Sequence, residues 1–161
     1  QRGAQDLRVI DYIEDSHRTL DWYVAELERR PYRWGTDYLP HDGKTRNFQT
    51  GKSTEQLLRE MGRKSVQSQQ RAEDVESGIK QLRMVFPRLY IDKSKCARLL
   101  ECLKRYQRRI HAITREPMEP LHDEFSHGAD CARYIASWSQ QMTSTQTSTD
   151  YIEQGAADWR V

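Results

Sequence analysis

Large apolar side chains are scarce in this sequence, and the scarcity limits what it can fold into: Leu, Ile, Val and Phe supply 29 of 161 residues. Mean hydropathy is −0.96. A chain this polar with a large net charge could not offset the entropy of ordering and would stay unfolded, but the formal charge is only +2. Eight Tyr and four Trp add bulk that closes a small core while leaving a polar tip in water. The expectation is one thin-cored domain over residues 1–138, within the usual range of roughly 100 to 200 residues. The polar, repetitive residues 139–161 bury nothing and read as a disordered tail.

No run approaches the ~20 apolar residues of a membrane helix, and Gln1 to Asp15 lacks a charged start followed by an apolar stretch. Neither a span nor classical secretion is expected. Cys96, Cys102 and Cys131 form no C-x-x-C pair, which predicts reduced, intracellular thiols. Gln1 stands where an initiator Met would, with a strand-like segment close behind it, so the chain reads as a fragment.

Alternation of Leu7, Val9 and Ile13 against Arg8 and Glu14 predicts a strand over Leu7 to Asp15, with Asp11 on the Val9 face. Leu20, Tyr23, Val24 and Leu27 predict a helix from His17 to Arg30, stopped by Pro31. Thr36 to His41 reads as a second strand, giving a βαβ unit with parallel strands. Ser53 and Gln56 form a capping box for a short helix ending at Gly62, and Ser65 to Gln70 reads as a third strand. Val75 to Phe86 reads as a helix, and the stripe from Cys96 to Ile113 as the longest one. After Pro117 and Pro120 a last helix is expected from about His122 to Trp138, with Gly128, Ala129 and Ala132 permitting close packing.

Charge is unevenly placed. Residues 44–115 hold 18 Lys and Arg against 7 Asp and Glu, between two acidic flanks. Such a block fits a surface that grips a polyanion beside a carboxylate site, or else a solvated helical face. Gly51 to Thr54 resembles the end of a phosphate-binding loop, but Arg46 occupies the earlier glycine position. A zinc site from His111, His122, His127 and Cys131 lacks paired short spacings. On the last helix Asp123, His127 and Asp130 form one stripe, and Asp42 follows a strand, where open α/β sheets place ligands. Clustered carboxylates with only oxygen donors select Mg2+ or Mn2+. The plain alternative pairs Asp130 with Arg133 and leaves Asp42 in a turn.

RVIDYIEDS (Arg8 to Ser16), LDWYVAEL (Leu20 to Leu27), DYLPHDG (Asp37 to Gly43), TGKSTEQLLREMG (Thr50 to Gly62) and LHDEFSHGADCARYIA (Leu121 to Ala136) together resemble the nuclease domain of the large terminase subunit of tailed double-stranded DNA phages. The resemblance implies an α/β, RNase H-like mixed sheet flanked by helices, and a two-metal-ion endonuclease that uses Mg2+ or Mn2+ to cut concatemeric DNA during packaging. By motif Asp42 is the second catalytic and metal-binding acid and Asp130 the third. The first belongs on a strand preceding Leu7, and the first strands of the fold are missing here, so the chain alone is expected to be weak or inactive. Asp123, His127 and Asp11 are candidates for supporting that site. Ser77 stands where related proteins carry an acid. The implied partners are double-stranded DNA, the phage portal and the small terminase subunit, in the host cell cytoplasm and away from membranes. The rival readings are a non-catalytic DNA-binding or assembly remnant of a prophage terminase, and a resolvase-like nuclease on the same fold.

Overall fold

The structure, a computed structural model, describes residues 6–69, 74–139 and 141–142. Its elements are β1 (Leu7–Val9), α1 (Leu20–Glu28), β2 (Asp37–Leu39), a 3-10 turn (His41–Lys44), α2 (Thr54–Glu60), β3 (Val66–Ser68), α3 (Val75–Val85), a 3-10 turn (Phe86–Arg88), β4 (Leu89–Ile91), α4 (Ala97–Arg105), β5 (Arg108–Ile110), β6 (Pro117–Pro120) and α5 (Ser126–Trp138). The class is α/β, as expected. The described strands join in three two-stranded sheets rather than one mixed sheet. Two compact units carry them, one of residues Asp15–Ser77 and one of Gln1–Glu14 with Gly78–Val161.

In the first unit β2 and β3 are parallel, with Asp37, Tyr38 and Leu39 opposite Val66, Gln67 and Ser68. The crossover between them contains α2. Ser53 caps α2 as the sequence predicts: its hydroxyl accepts from Gln56 N–H at 3.2 Å while the Gln56 side chain accepts from Ser53 N–H at 3.0 Å. Gly62, with φ +91°, releases the chain in the left-handed region. Val24, Leu58 and Val66 form the buried core. Arg63 clamps its edge, donating from Nε and Nη2 to the two oxygens of Asp37 at 2.7 and 2.5 Å.

In the second unit β1 pairs in parallel with β4, Leu7 to Val9 lying opposite Leu89 to Ile91. The expected pairing of β1 with β2 is therefore not formed. Strand β4 was illegible, because three residues behind Pro87 are too few for alternation to show. Leu7, Leu82, Val85, Leu89, Ile91, Cys96, Leu99, Ala132 and Ala136 make the core. Burial first, then Asp11 and Asp92, push the Cys96 thiol up to about 12, so it packs as an apolar group.

Helix α4 ends at Arg105, eight residues short of the expected Ile113. Tyr106 turns extended, and β5 folds back on β6 in an antiparallel ribbon. The apolar stripe did not hold because Ile110 and Ile113 meet no core; they are 54% and 87% exposed. β-Branched residues without a face to bury gain more from a strand pairing. Pro117 and Pro120 sit within β6, tolerable in a ribbon whose strands are both edges. Residues 143–161 of the expected tail lie outside the described residues, whereas Ser139 at its start is buried and Met142 packs on the core.

Helices α4 and α5 meet at Gly128, where a β-carbon would stand 2.6 Å from Cys102 Cβ and 2.7 Å from its sulfur. Gly-to-Ala inside a helix ordinarily stabilises by about 1 kcal/mol. Here Gly128→Ala is expected to destabilise by about 1 to 3 kcal/mol, the usual cost of overpacking, read by urea denaturation.

Behind β4, Asp92 Oδ1 accepts from Ser94 N–H at 3.0 Å, Lys95 N–H at 2.9 Å and the Ser94 hydroxyl at 3.0 Å. These bonds, Lys95 N–H foremost, hold its carboxyl below the ordinary value. The stabilisation is complete above the unfolded value of about 3.9 and is lost as pH falls through the folded one. Asp92→Ala is expected to lower stability by about 1 kcal/mol at pH 7. The gap to the parent should narrow in denaturation curves as pH falls through that lowered folded value.

Candidate functional site

Strand β2 delivers the chain through Pro40 into the His41–Lys44 turn, where Gly43 N–H donates to Pro40 O at 3.0 Å and Thr45 N–H to Asp42 O at 2.8 Å. Gly43 is buried, because a β-carbon there would lie 2.8 Å from Leu39 Cβ and 3.0 Å from Ser68 Oγ. With Gly43 pinned inward, His41, Asp42 and Lys44 are left exposed. The Asp42 carboxylate makes no hydrogen bond or ion pair among the described residues. At the matching end of β3, Ser68 Oγ donates to Glu55 Oε2 at 2.7 Å, and Glu55 also pairs with Arg59. Nothing local in the sequence marks Glu55, because its partner Ser68 lies thirteen positions on.

Lys52, the lysine of the phosphate-loop look-alike, pairs with Glu60 at 2.7 Å, and the serine beside it is a helix cap. The mimicry is local capping chemistry.

In the other unit α5 starts at Ser126, so Asp123 lies before the helix and does not share its stripe. Its Oδ1 accepts from Phe125 N–H at 2.9 Å and Ser126 N–H at 3.2 Å, closing the helix entry. The Ser126 hydroxyl donates to Asp123 O at 2.7 Å and lies 3.0 Å from His122 Nδ1. His127 is exposed, its ring edge-on to His122 at 5.5 Å. Asp130 is on the helix but engaged: Oδ1 accepts from Arg133 Nη2 at 2.6 Å and Nε at 3.2 Å. The Arg133 side chain is only 13% exposed and lies against Gly78 of α3. Asp11 follows β1, with Oδ1 accepting from Tyr12 N–H at 2.8 Å.

Oxygen donors such as Asp42 suit a hard divalent cation. Among the described residues, however, no three His, Cys, Asp or Glu side chains are grouped to share one ion. Asp42 stands in one unit with its carboxylate uncommitted, and Asp130 in the other with one oxygen held by Arg133.

The basic block divides into committed and uncommitted cations. Arg59, Arg63, Arg98, Arg105 and Arg109 each pair with an acid of their own unit. Lys44, Arg46 and Lys64 in one unit, and Lys80, Arg83, Lys93 and Lys104 in the other, are exposed without an ion-pair partner among the described residues. Part of the charge is thus internal structure and part faces solvent.

Compared with known families, with curated proteins and with solved structures, the chain matches none.

Removing a carboxylate from a cluster of unneutralised acids relieves repulsion, whereas removing one from an ion pair strands its partner. Asp130→Ala is expected to destabilise by about 1 to 3 kcal/mol, the cost of leaving the largely buried Arg133 without its partner. Urea denaturation without divalent ions reads the sign.

Proposed function

We propose that this chain is the DNA-cleaving part of a phage packaging terminase, a metal-dependent endonuclease acting on concatemeric double-stranded DNA. Asp42 carries the reading: an exposed, uncommitted carboxylate at the carboxyl end of a parallel strand, within the stretch that resembles the family. Such strand ends are where open α/β sheets hold ligands. In this reading Asp42 and Asp130 bind the ions, and Asp123, His127 and Asp11 support them. Bound Mg2+ or Mn2+ would supply an activated water and stabilise the leaving oxygen of the phosphodiester. The uncommitted cations hold phosphates along the duplex and carry no sequence information. An RNase H-like core, portal and small-subunit partners, and action in the host cell cytoplasm complete the proposal.

The Asp130–Arg133 pair favours a second reading, a non-catalytic DNA-binding or assembly module. Plasmid cleavage with Mg2+ or Mn2+ separates the two. The expected result is slow, metal-dependent nicking, abolished by a chelator and lost in both Asp42→Ala and Asp130→Ala. Nicking retained in both variants overturns the residue assignment, and binding without any cleavage supports the second reading. Duplex affinity, followed by anisotropy, should fall steeply with salt, with a slope of about 0.9 per phosphate contacted; a flat response overturns both readings.

A further inference from the structure

The segment between the Asp42 turn and α2 is a tightly closed loop that presents one aromatic ring to solvent. Arg46 and Ser53 form an antiparallel bridge at its base. Asn47 N–H donates to Lys52 O at 3.0 Å, and Gly51 N–H donates to Asn47 O at 2.8 Å. Asn47 Oδ1 accepts from Gln49 N–H at 2.8 Å and Thr50 N–H at 3.3 Å. Gly51 makes the return in the left-handed region, with φ +66°. The outcome is that Phe48 is 102% exposed at the tip. A singly exposed apolar residue is ordinary; one held out by a hydrogen-bonded loop and flanked by cations is a different object.

Lys44 and Arg46 precede the ring, both exposed and without an ion-pair partner among the described residues. Lys52 follows it, sharing its charge with Glu60. A bare ring between cations matches the two surfaces of nucleic acid, the π-face of a base and the phosphates beside it. Proteins that bend DNA insert such apolar wedges between base steps, and stacking on aromatic rings tolerates any sequence because every base has a π-face. A loop backbone already held by hydrogen bonds loses little freedom when the ring it carries stacks.

We propose that Phe48 is a DNA wedge: Lys44 and Arg46 hold the phosphates while the ring enters a base step of the duplex. This rests on the reading above that the chain binds double-stranded DNA, and it adds a residue that touches the bases without reading them. Asp42 lies six residues earlier in the chain, in the same unit.

The test uses the full chain and duplexes carrying 2-aminopurine, whose fluorescence rises when its stack opens. The parent should raise that signal on binding. Phe48→Ala should lose the rise and bind about 5- to 150-fold more weakly, the effect of one stacked base, with an unchanged salt slope. Phe48→Trp should keep both signal and affinity. The Lys44→Gln, Arg46→Gln double variant should lower the salt slope by about 1.8, at about 0.9 per phosphate contact. Because Phe48 is fully exposed, its replacement leaves the fold intact, which circular dichroism verifies. Unchanged affinity and fluorescence in Phe48→Ala would overturn the wedge alone and leave the ring to a protein partner. Weaker binding by Phe48→Ala with no fluorescence rise in the parent would also overturn it. Failure of the parent to bind duplex DNA at all would overturn the DNA reading and the wedge with it.

Discussion

At Gly128 in one unit and Gly43 in the other, a β-carbon would fall 2.6 Å from Cys102 and 2.8 Å from Leu39 respectively. Both distances are inside van der Waals contact, so only hydrogen fits. Close backbone approach substitutes here for the bulk that the composition lacks. A domain with few large aliphatic residues gains dispersion contacts by resting side chains directly on glycine main chain. That is why Ala132 and Ala136 are buried on α5 beside Leu99 and Ile91, and Ala129 is buried on the same helix. Each glycine also has a positional consequence: Gly43 turned inward puts Asp42 outward.

Polar closure supplies the next layer. Arg63, nearly buried, meets both oxygens of Asp37 and lies over the Trp34 ring, tying the start of β2 to the turn after α2. Glu14 does similar work in the other unit. Its Oε2 accepts from the Tyr12 hydroxyl at 2.9 Å and pairs with Arg98 Nε at 3.4 Å, and Arg98 reaches on to Glu124 and over Phe125. Burial above all, with Glu14 next, pushes the Tyr12 hydroxyl upward, so it stays a donor. These pairs draw cations from the basic block into the fold. The same residue types therefore divide between holding the protein together and facing a ligand, and a count of charges cannot separate the two.

Asp42 and Asp130 illustrate the division for carboxylates. Both are acids that the sequence motifs single out, yet one is uncommitted and the other paired. The difference follows from neighbours: Asp42 projects from a turn whose inward position is taken by glycine, whereas Asp130 shares a helix face with Arg133 one turn on. A salt bridge of this kind is a competitor for any cation. Asp42 is accordingly the stronger anchor for the function proposed.

Local chemistry was legible in the sequence. The capping box at Ser53, the Gly62 exit, the strand around Val66, the helix expected over His17 to Arg30 and found at Leu20–Glu28, and the α/β class all depend on residues within a few positions of one another, and all are present. What tertiary structure decided is whatever depends on a partner distant in the chain. Strand β1 chose β4, about eighty residues on, over β2. The stripe toward Ile113 gave way to a ribbon because no core lay opposite it. The helix carrying Asp130 began at Ser126, since Asp123 spends its carboxylate on the entry. Periodicity reports which residues can share a face; whether that face finds something to bury against is settled only when the rest of the chain has folded.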